Sequence, residues 1–213
     1  MITILEKISD ACLIKVVKVK KDVEQLFQII KNDLSDNEIN VYDSIKNQKR
    51  KREWLSVRIL LKELLGVYKE ISYDQLKNPN IDSPYNISIT HSHNIVGVIL
   101  SKSKQIGIDT EIISDRILRT AHKFIESEEL SKFNGDKKLK QIYLNWCGKE
   151  TLYKIKGGGG IDFIENLKIE INDIYDLGSL KVFFYNEHKT EKYIIYYQFI
   201  MTNSGELLIT WHS

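Results

Sequence analysis

The sequence predicts an α+β fold with antiparallel sheets. Three observations carry that expectation. Two segments, Lys49–Leu65 and Leu139–Ile155, repeat apolar residues at helical spacing. Short segments that are β-branched or alternate polar with apolar lie before and after each of them. These short segments come in runs, so neighbouring strands are expected to pair as hairpins. No internal repeat is visible, yet each half of the chain has one long helix and several strands.

The elements follow in order. Ile2–Ile8 and Cys12–Val19 are rich in β-branched residues and read as a hairpin around Ser9-Asp10. Val23, Leu26, Phe27 and Ile30 give Asp22–Ile30 a helical period. In Lys49–Leu65, Trp54, Val57, Leu61, Leu64 and Leu65 share a face, and Arg58 and Lys62 lie off it. Gly66 stands where that helix should stop. Asn78-Pro79 and Ser83-Pro84 bracket an irregular stretch.

Asn86–Thr90 alternates as a half-buried strand does, and Ile95–Leu100 is the next strand. His91-Ser92-His93-Asn94 reads as the turn between them. Gln105–Glu111 makes a third strand, with Asp109 and Glu111 on one side of it. Leu139–Ile155 is the second long helix, with Ile142, Tyr143, Trp146 and Tyr153 on its packed side. Gly157–Gly160 ends it, because a glycine run cannot hold a helix. Leu167–Ile171, Leu180–Tyr185, Tyr193–Met201 and Glu206–Trp211 complete the strands.

Composition narrows the function classes. A chain of 213 residues with 42% hydrophobic and 28% charged residues suits a soluble globular protein. A net charge of +2 is too small to build the basic field that a nucleic-acid binder uses. The local run Lys49-Arg50-Lys51-Arg52 reads either as a solvated helix start or as a phosphate-binding patch. The two cysteines, Cys12 and Cys147, belong to no cluster with zinc-ligand spacing. The N-terminus does not look like a signal peptide, and no apolar run is long enough to span a membrane. The expected setting is the cytoplasm.

The chemistry concentrates in two stretches. Asp109 and Glu111 point to one strand face, where both carboxylates can reach one hard cation. Glu150 and Lys154 are four apart on the second helix. Alone they read as a surface ion pair worth about 0.3–0.5 kcal/mol. Beside the two strand acids they read as a third metal ligand and a phosphate contact. Trp146, one turn earlier, would set an aromatic wall next to Glu150, and Lys149 adds a second cation on another face. His91 either hydrogen-bonds backbone or donates to a phosphate oxygen. The glycine run follows a helix instead of preceding one, which is the wrong polarity for a helix-N-terminal anion site.

Ile87-Ser88-Ile89-Thr90-His91-Ser92, Ile106-Gly107-Ile108-Asp109-Thr110-Glu111 and Trp146-Cys147-Gly148-Lys149-Glu150-Thr151-Leu152-Tyr153-Lys154 resemble, in that order, the motifs of the 4′-phosphopantetheinyl transferases. The length resembles the surfactin-synthetase-type group, a single chain of two similar halves. The resemblance implies two pseudo-twofold α/β halves, each a long helix on an antiparallel sheet, with the active site between them. Residues 1–103 would bind coenzyme A and carry the histidine motif. Residues 104–213 would carry the metal-binding acids and the Trp-Lys-Glu helix.

It further implies transfer of the phosphopantetheine arm of coenzyme A to a serine of an apo acyl or peptidyl carrier protein, with release of adenosine 3′,5′-bisphosphate. Asp109, Glu111 and Glu150 would hold Mg2+. Glu150 would be the base for the carrier serine, directly or through water, with Lys154 as runner-up. Lys154, His91, Ser92, Lys77 and Arg52 would contact the coenzyme. The family's Gly-Lys-Pro element is here Leu76-Lys77-Asn78-Pro79, without the glycine and with the lysine one place early. Thr90 replaces the more usual serine. Lys51, Arg52 and Arg58 all compete for the family's basic helix-start position.

Arg116, Arg119, His122 and Lys123 lie where the family meets its carrier, and an acidic carrier helix is the expected partner. The single-chain form implies a monomer, with no nucleic acid and no membrane as partner. Two other readings compete. A non-catalytic module binding coenzyme A or a carrier would be expected to lose a metal ligand. A Mg2+-dependent nuclease would be expected to show a stronger basic surface.

Overall fold

β-branched residues build the first hairpin. β1 (Ile2–Ile8) pairs with β2 (Cys12–Lys18) in antiparallel register, Ile8 opposite Leu13. The computed structural model describes all residues except Asp10, Ala11 and Asn172, so the expected turn at Ser9-Asp10 lies partly outside the described residues. α1 (Val23–Ile30) starts at a capping box in which Asp22 accepts from the Gln25 amide.

α2 (Asp36–Ser44) was not expected from the sequence. It buries only Glu38 and Tyr42, so it shows no apolar stripe. Ser35 caps it, and distant partners hold it. Glu38 accepts from Arg58 Nε at 2.8 Å and from the Tyr68 hydroxyl, and Tyr42 stacks on Phe27.

α3 (Gln48–Leu65) ends at Gly66, whose φ of 70° suits glycine. The expected stripe is too narrow for this helix. Glu53 and Arg58 are buried as well, and Leu64 and Leu65 are only half-buried. Arg58 is 2% exposed, pairs with Glu38 and lies 3.3 Å from the centre of the Trp54 ring. It is therefore a structural cation and not a coenzyme contact.

The Asn78–Pro84 stretch is not wholly irregular. β3 (Ile71–Tyr73) and β4 (Pro79–Ile81) form a small hairpin. β5 (Asn86–Ser92) and β6 (Ile95–Ser101) pair through Ser92 opposite Ile95. His91 and Ser92 thus belong to the strand, and the turn is only His93-Asn94, with His93 at φ 55°. The sheet order is β1-β2-β6-β5, and α3 packs on β2 and β6.

A second unit, Gly107–His212, is separate in its contacts from Met1–Ile106 plus Ser213. β7 (Gly107–Ile112) leads into 3-10 turns at Asp115–Arg119 and Ala121–Lys123, then α4 (Ser127–Lys132). α5 (Lys138–Ile155) follows, and then β8 (Leu167–Glu170), β9 (Leu177–Tyr185), β10 (Thr190–Thr202) and β11 (Gly205–His212). The antiparallel order is β7-β11-β10-β9-β8, which leaves β7 at one edge. α5 is packed nearly all round, from Ile142 and Tyr143 through Asn145, Gly148 and Lys149 to Leu152, so the single packed side expected for it is too narrow. Gly157–Gly160 have φ of 76°, 73°, 71° and 65°, a left-handed run that only glycine adopts readily. Among the described residues no helix is long and apolar enough to cross a membrane.

The last turn of α5 is tied to β10 by an ion pair. Lys156 Nζ lies 2.7 Å from Glu191 Oε1, and the Tyr193 hydroxyl donates to Oε2. The Lys156 hydrogen bond is the chief cause that pulls the Glu191 carboxyl down to about 2. A carboxyl whose folded pKa is depressed stabilises the fold above its unfolded value of about 4.3 and loses that contribution as the pH falls toward 2. Glu191→Gln should therefore cost about 1–2 kcal/mol at pH 7 and almost nothing at pH 2. Urea denaturation at the two pH values measures the difference. An equal cost at both would refute it.

Candidate active site

The second unit builds its site from one strand and one helix. Side chains alternate along β7, so Gly107, Asp109 and Glu111 share a face. α5 packs on that face and on β11. A Cβ built on Gly107 would lie 2.5 Å from the Thr151 carbonyl oxygen, so glycine is what lets the helix backbone come this close. Buried hydroxyls fix the helix from β11. Thr210 Oγ1 donates to Cys147 O at 3.0 Å and lies 2.7 Å from Thr151 Oγ1.

This contact delivers the helix residues to the strand acids. Lys154 Nζ donates to Asp109 Oδ1 and to Ile108 O, both at 2.8 Å. Asp109 is buried, while Glu111, Glu150 and Lys154 are half-buried. Burial raises the Glu150 carboxyl to about 7, with the charges of Asp109 and Glu111 adding to the rise and Lys154 opposing it. Among the described residues, no three His, Cys, Asp or Glu side chains are arranged as an ion-holding group. The donor set itself suits a hard cation. It is all oxygen, and the charges of Asp109 and Glu111 act directly on Glu150.

Neighbouring motif residues have structural tasks. Cys147 is fully buried, and burial together with Asp109 and Glu111 pushes its thiol well above the ordinary range, so it is no nucleophile. Trp146 packs between Phe124 and Phe163, at 4.9 and 5.7 Å between ring centres, and Tyr153 adds to Phe163 at 5.6 Å. Trp146 thus belongs to an aromatic cluster, where the expectation was a wall beside Glu150. The phenylalanines completing it were not foreseen, since Phe124 and Phe163 come from separate loops.

Lys149 is 2% exposed and donates to Phe124 O and Phe163 O at 2.8 and 2.7 Å. Burial pushes it down to about 8. It clamps the two loops that carry the aromatic cluster. Lys149→Met should lower stability by about 2–4 kcal/mol, because one buried and one part-buried carbonyl lose their donor. Denaturant melts would show it, and an unchanged midpoint would refute the clamp.

The remaining candidates lie in the first unit. His91 is exposed at the end of β5, with Nδ1 3.8 Å from Glu53 Oε2. Ser92 is buried, and its Oγ lies 3.1 Å from His93 Nδ1. Arg52 is half-buried in α3 and lines a surface cavity of about 440 Å³ with Asp22, Val23, Glu24, Gln48 and Lys49. Lys77 is exposed in the β3–β4 turn at φ 65°, and its amide donates to Asp74 O.

The profile of the 4′-phosphopantetheinyl transferase superfamily matches residues 105–203, which include β7, α5 and all four site residues of the second unit. Over these residues the chain is similar to the 4′-phosphopantetheinyl transferase superfamily. Similar curated proteins include the 4′-phosphopantetheinyl transferase AcpT of Escherichia coli strain K12, 27% identical over 116 residues. AcpT of Salmonella typhi is 25% identical over 116 residues. Each match covers 51% of this chain and 60% of the relative's length. The superfamily's profile thus falls on the unit in which Asp109, Glu150 and Lys154 converge.

Proposed function

We propose that the protein transfers the 4′-phosphopantetheine arm of coenzyme A to a serine of an apo acyl or peptidyl carrier protein, releasing adenosine 3′,5′-bisphosphate, with Mg2+ as cofactor. The observation that carries this reading is the bond of Lys154 to Asp109 across β7 and α5, with Glu150 near enough to feel both charges, within the region matched to the superfamily.

Asp109, Glu111 and Glu150 are the residues to hold Mg2+, which when bound polarises phosphoryl oxygens and neutralises charge on the leaving group. Glu150 takes the proton of the carrier serine, directly or through a water. Burial and the neighbouring charges raise its proton affinity before the cation binds; once Glu150 is bound to Mg2+, the route through a water is the favoured one. Lys154 already donates to two oxygens, so it serves as a cation that steadies Asp109 and the phosphate and not as the base. His91, Arg52, Lys77 and Ser92 are the coenzyme contacts of the first unit. For Ser92, burial favours a contact through its backbone or through His93.

The carrier would dock on the 3-10 turns after β7. There Ile117, Ala121 and Phe124 point inward, and Arg116, Arg119, His122 and Lys123 are exposed beside Leu118. Such a surface suits an acidic helix with an apolar ridge. The reading implies a cytoplasmic monomer, where coenzyme A and apo carriers meet.

The test is transfer from a fluorescent coenzyme A analogue to a panel of apo carriers, with Mg2+ and with chelator. Labelling of a carrier serine that stops with chelator is the expected result. Coenzyme binding without labelling of any carrier would favour a binding module, and no coenzyme binding would overturn the reading.

A further inference from the structure

Glu53 is a buried charge with no part in the chemistry above. It lies on α3 at 8% exposure, and its Oε1 has no hydrogen-bond partner among the described residues. A buried carboxylate is costly unless cations compensate it. Two basic side chains flank it: Lys49 Nζ is 3.7 Å from Oε1, and His91 Nδ1 is 3.8 Å from Oε2. Both distances exceed a hydrogen bond. The two basic side chains reach outward, 59% and 41% exposed, while the carboxylate stays inside. Lys49 also lines the cavity that Arg52 borders.

We propose that Glu53 is a positioning residue for coenzyme binding, acting through His91. The proposal rests on the reading that His91 contacts a coenzyme phosphate. Glu53 faces Nδ1, which leaves Nε2 as the nitrogen turned to the ligand. A ring held by the carboxylate at Nδ1 and by a phosphate at Nε2 would present its two nitrogens in fixed directions. Fixing the ring before the ligand arrives also reduces the entropy lost on binding. Carboxylates that orient a histidine in this way act from behind the ligand-contacting group, and losing one commonly costs about 10–100-fold in affinity at metal sites.

The experiment measures the Kd for coenzyme A by calorimetry, and kcat and KM for transfer, in Glu53→Gln, His91→Ala and the double variant. Glu53→Gln keeps the volume and removes the charge. Expected are a roughly tenfold weaker Kd with kcat within about twofold, and a double variant no weaker than His91→Ala alone. Glu53→Asp keeps the charge with a shorter reach and should recover part of the affinity, so it also serves where Glu53→Gln folds poorly. Additive losses in the double variant, or a Glu53→Asp no better than Glu53→Gln, would mark Glu53 as structural only and overturn the proposal. If His91→Ala weakens binding and Glu53→Gln does not, the proposal fails while the phosphate reading of His91 stands. If neither weakens binding, that reading of His91 fails and takes the proposal with it.

Discussion

Asp109→Ala should lower carrier labelling roughly a thousandfold while the chain still folds. Three effects converge on that one carboxylate. It is a proposed ligand of Mg2+, so the cation loses an oxygen from a set of three. It accepts from Lys154 Nζ at 2.8 Å, so the lysine loses the partner that fixes its position. Its charge also helps raise Glu150, so without it the Glu150 carboxyl moves back toward the ordinary range and becomes a weaker base.

Stability should change far less than activity. The carboxylate is buried beside two others, so removing it relieves repulsion even as it strands part of Lys154. A net shift within about 2 kcal/mol is expected. Asp109→Asn separates charge from shape, since the amide oxygen can still accept from Lys154. It should lose Mg2+ binding nearly as completely as Asp109→Ala. Calorimetric Mg2+ titration, carrier labelling and thermal melts read the three effects separately. A variant that keeps a tenth of the parent's labelling would remove Asp109 from the centre.

The parts of the fold that could be read from the sequence are those whose signal is local. α3 and α5 repeat apolar residues along one chain segment and stop at glycines, so both were expected within a residue of where they lie. α2 has no such signal. Its two buried residues are Glu38 and Tyr42, and what holds it is an ion pair to Arg58 and a hydroxyl from Tyr68, both far along the chain. The same pair explains why Arg58 left the surface. β4 was hidden by Pro79, which reads as a breaker but stands at the first position of a strand, where proline is tolerated.

The site divides in the same way. That Asp109 and Glu111 share a side follows from strand alternation, and that Glu150 and Lys154 share one follows from helix spacing. Whether the two faces meet depends on contacts remote in sequence, such as Thr210 with Cys147 and Lys154 with Asp109. The Glu53–His91 pair is of that kind too, with one partner on α3 and the other on β5. No motif within either segment announces it.

Gly107→Ala should damage both stability and catalysis, by one mechanism. The new methyl group would sit 2.5 Å from Thr151 O, 3.0 Å from Ile155 Cγ1 and 3.1 Å from Thr151 Cγ2. The two side-chain contacts can yield by rotation, but a helix carbonyl cannot turn aside. α5 must therefore retreat from β7 by roughly an ångström, at about 1–3 kcal/mol for the overpacked contact. Glu150 and Lys154 ride on the same turn as Thr151, so the retreat pulls them from Asp109. A displacement of that size costs on the order of a hundredfold in rate. Gly160→Ala is the control, because it meets nothing within 4 Å and suffers only from its φ of 65°. It should lose about 1 kcal/mol through backbone strain and keep most of its activity. If Gly107→Ala matched the parent in melting temperature and labelling rate, the close approach of α5 to β7 would not be what assembles the site.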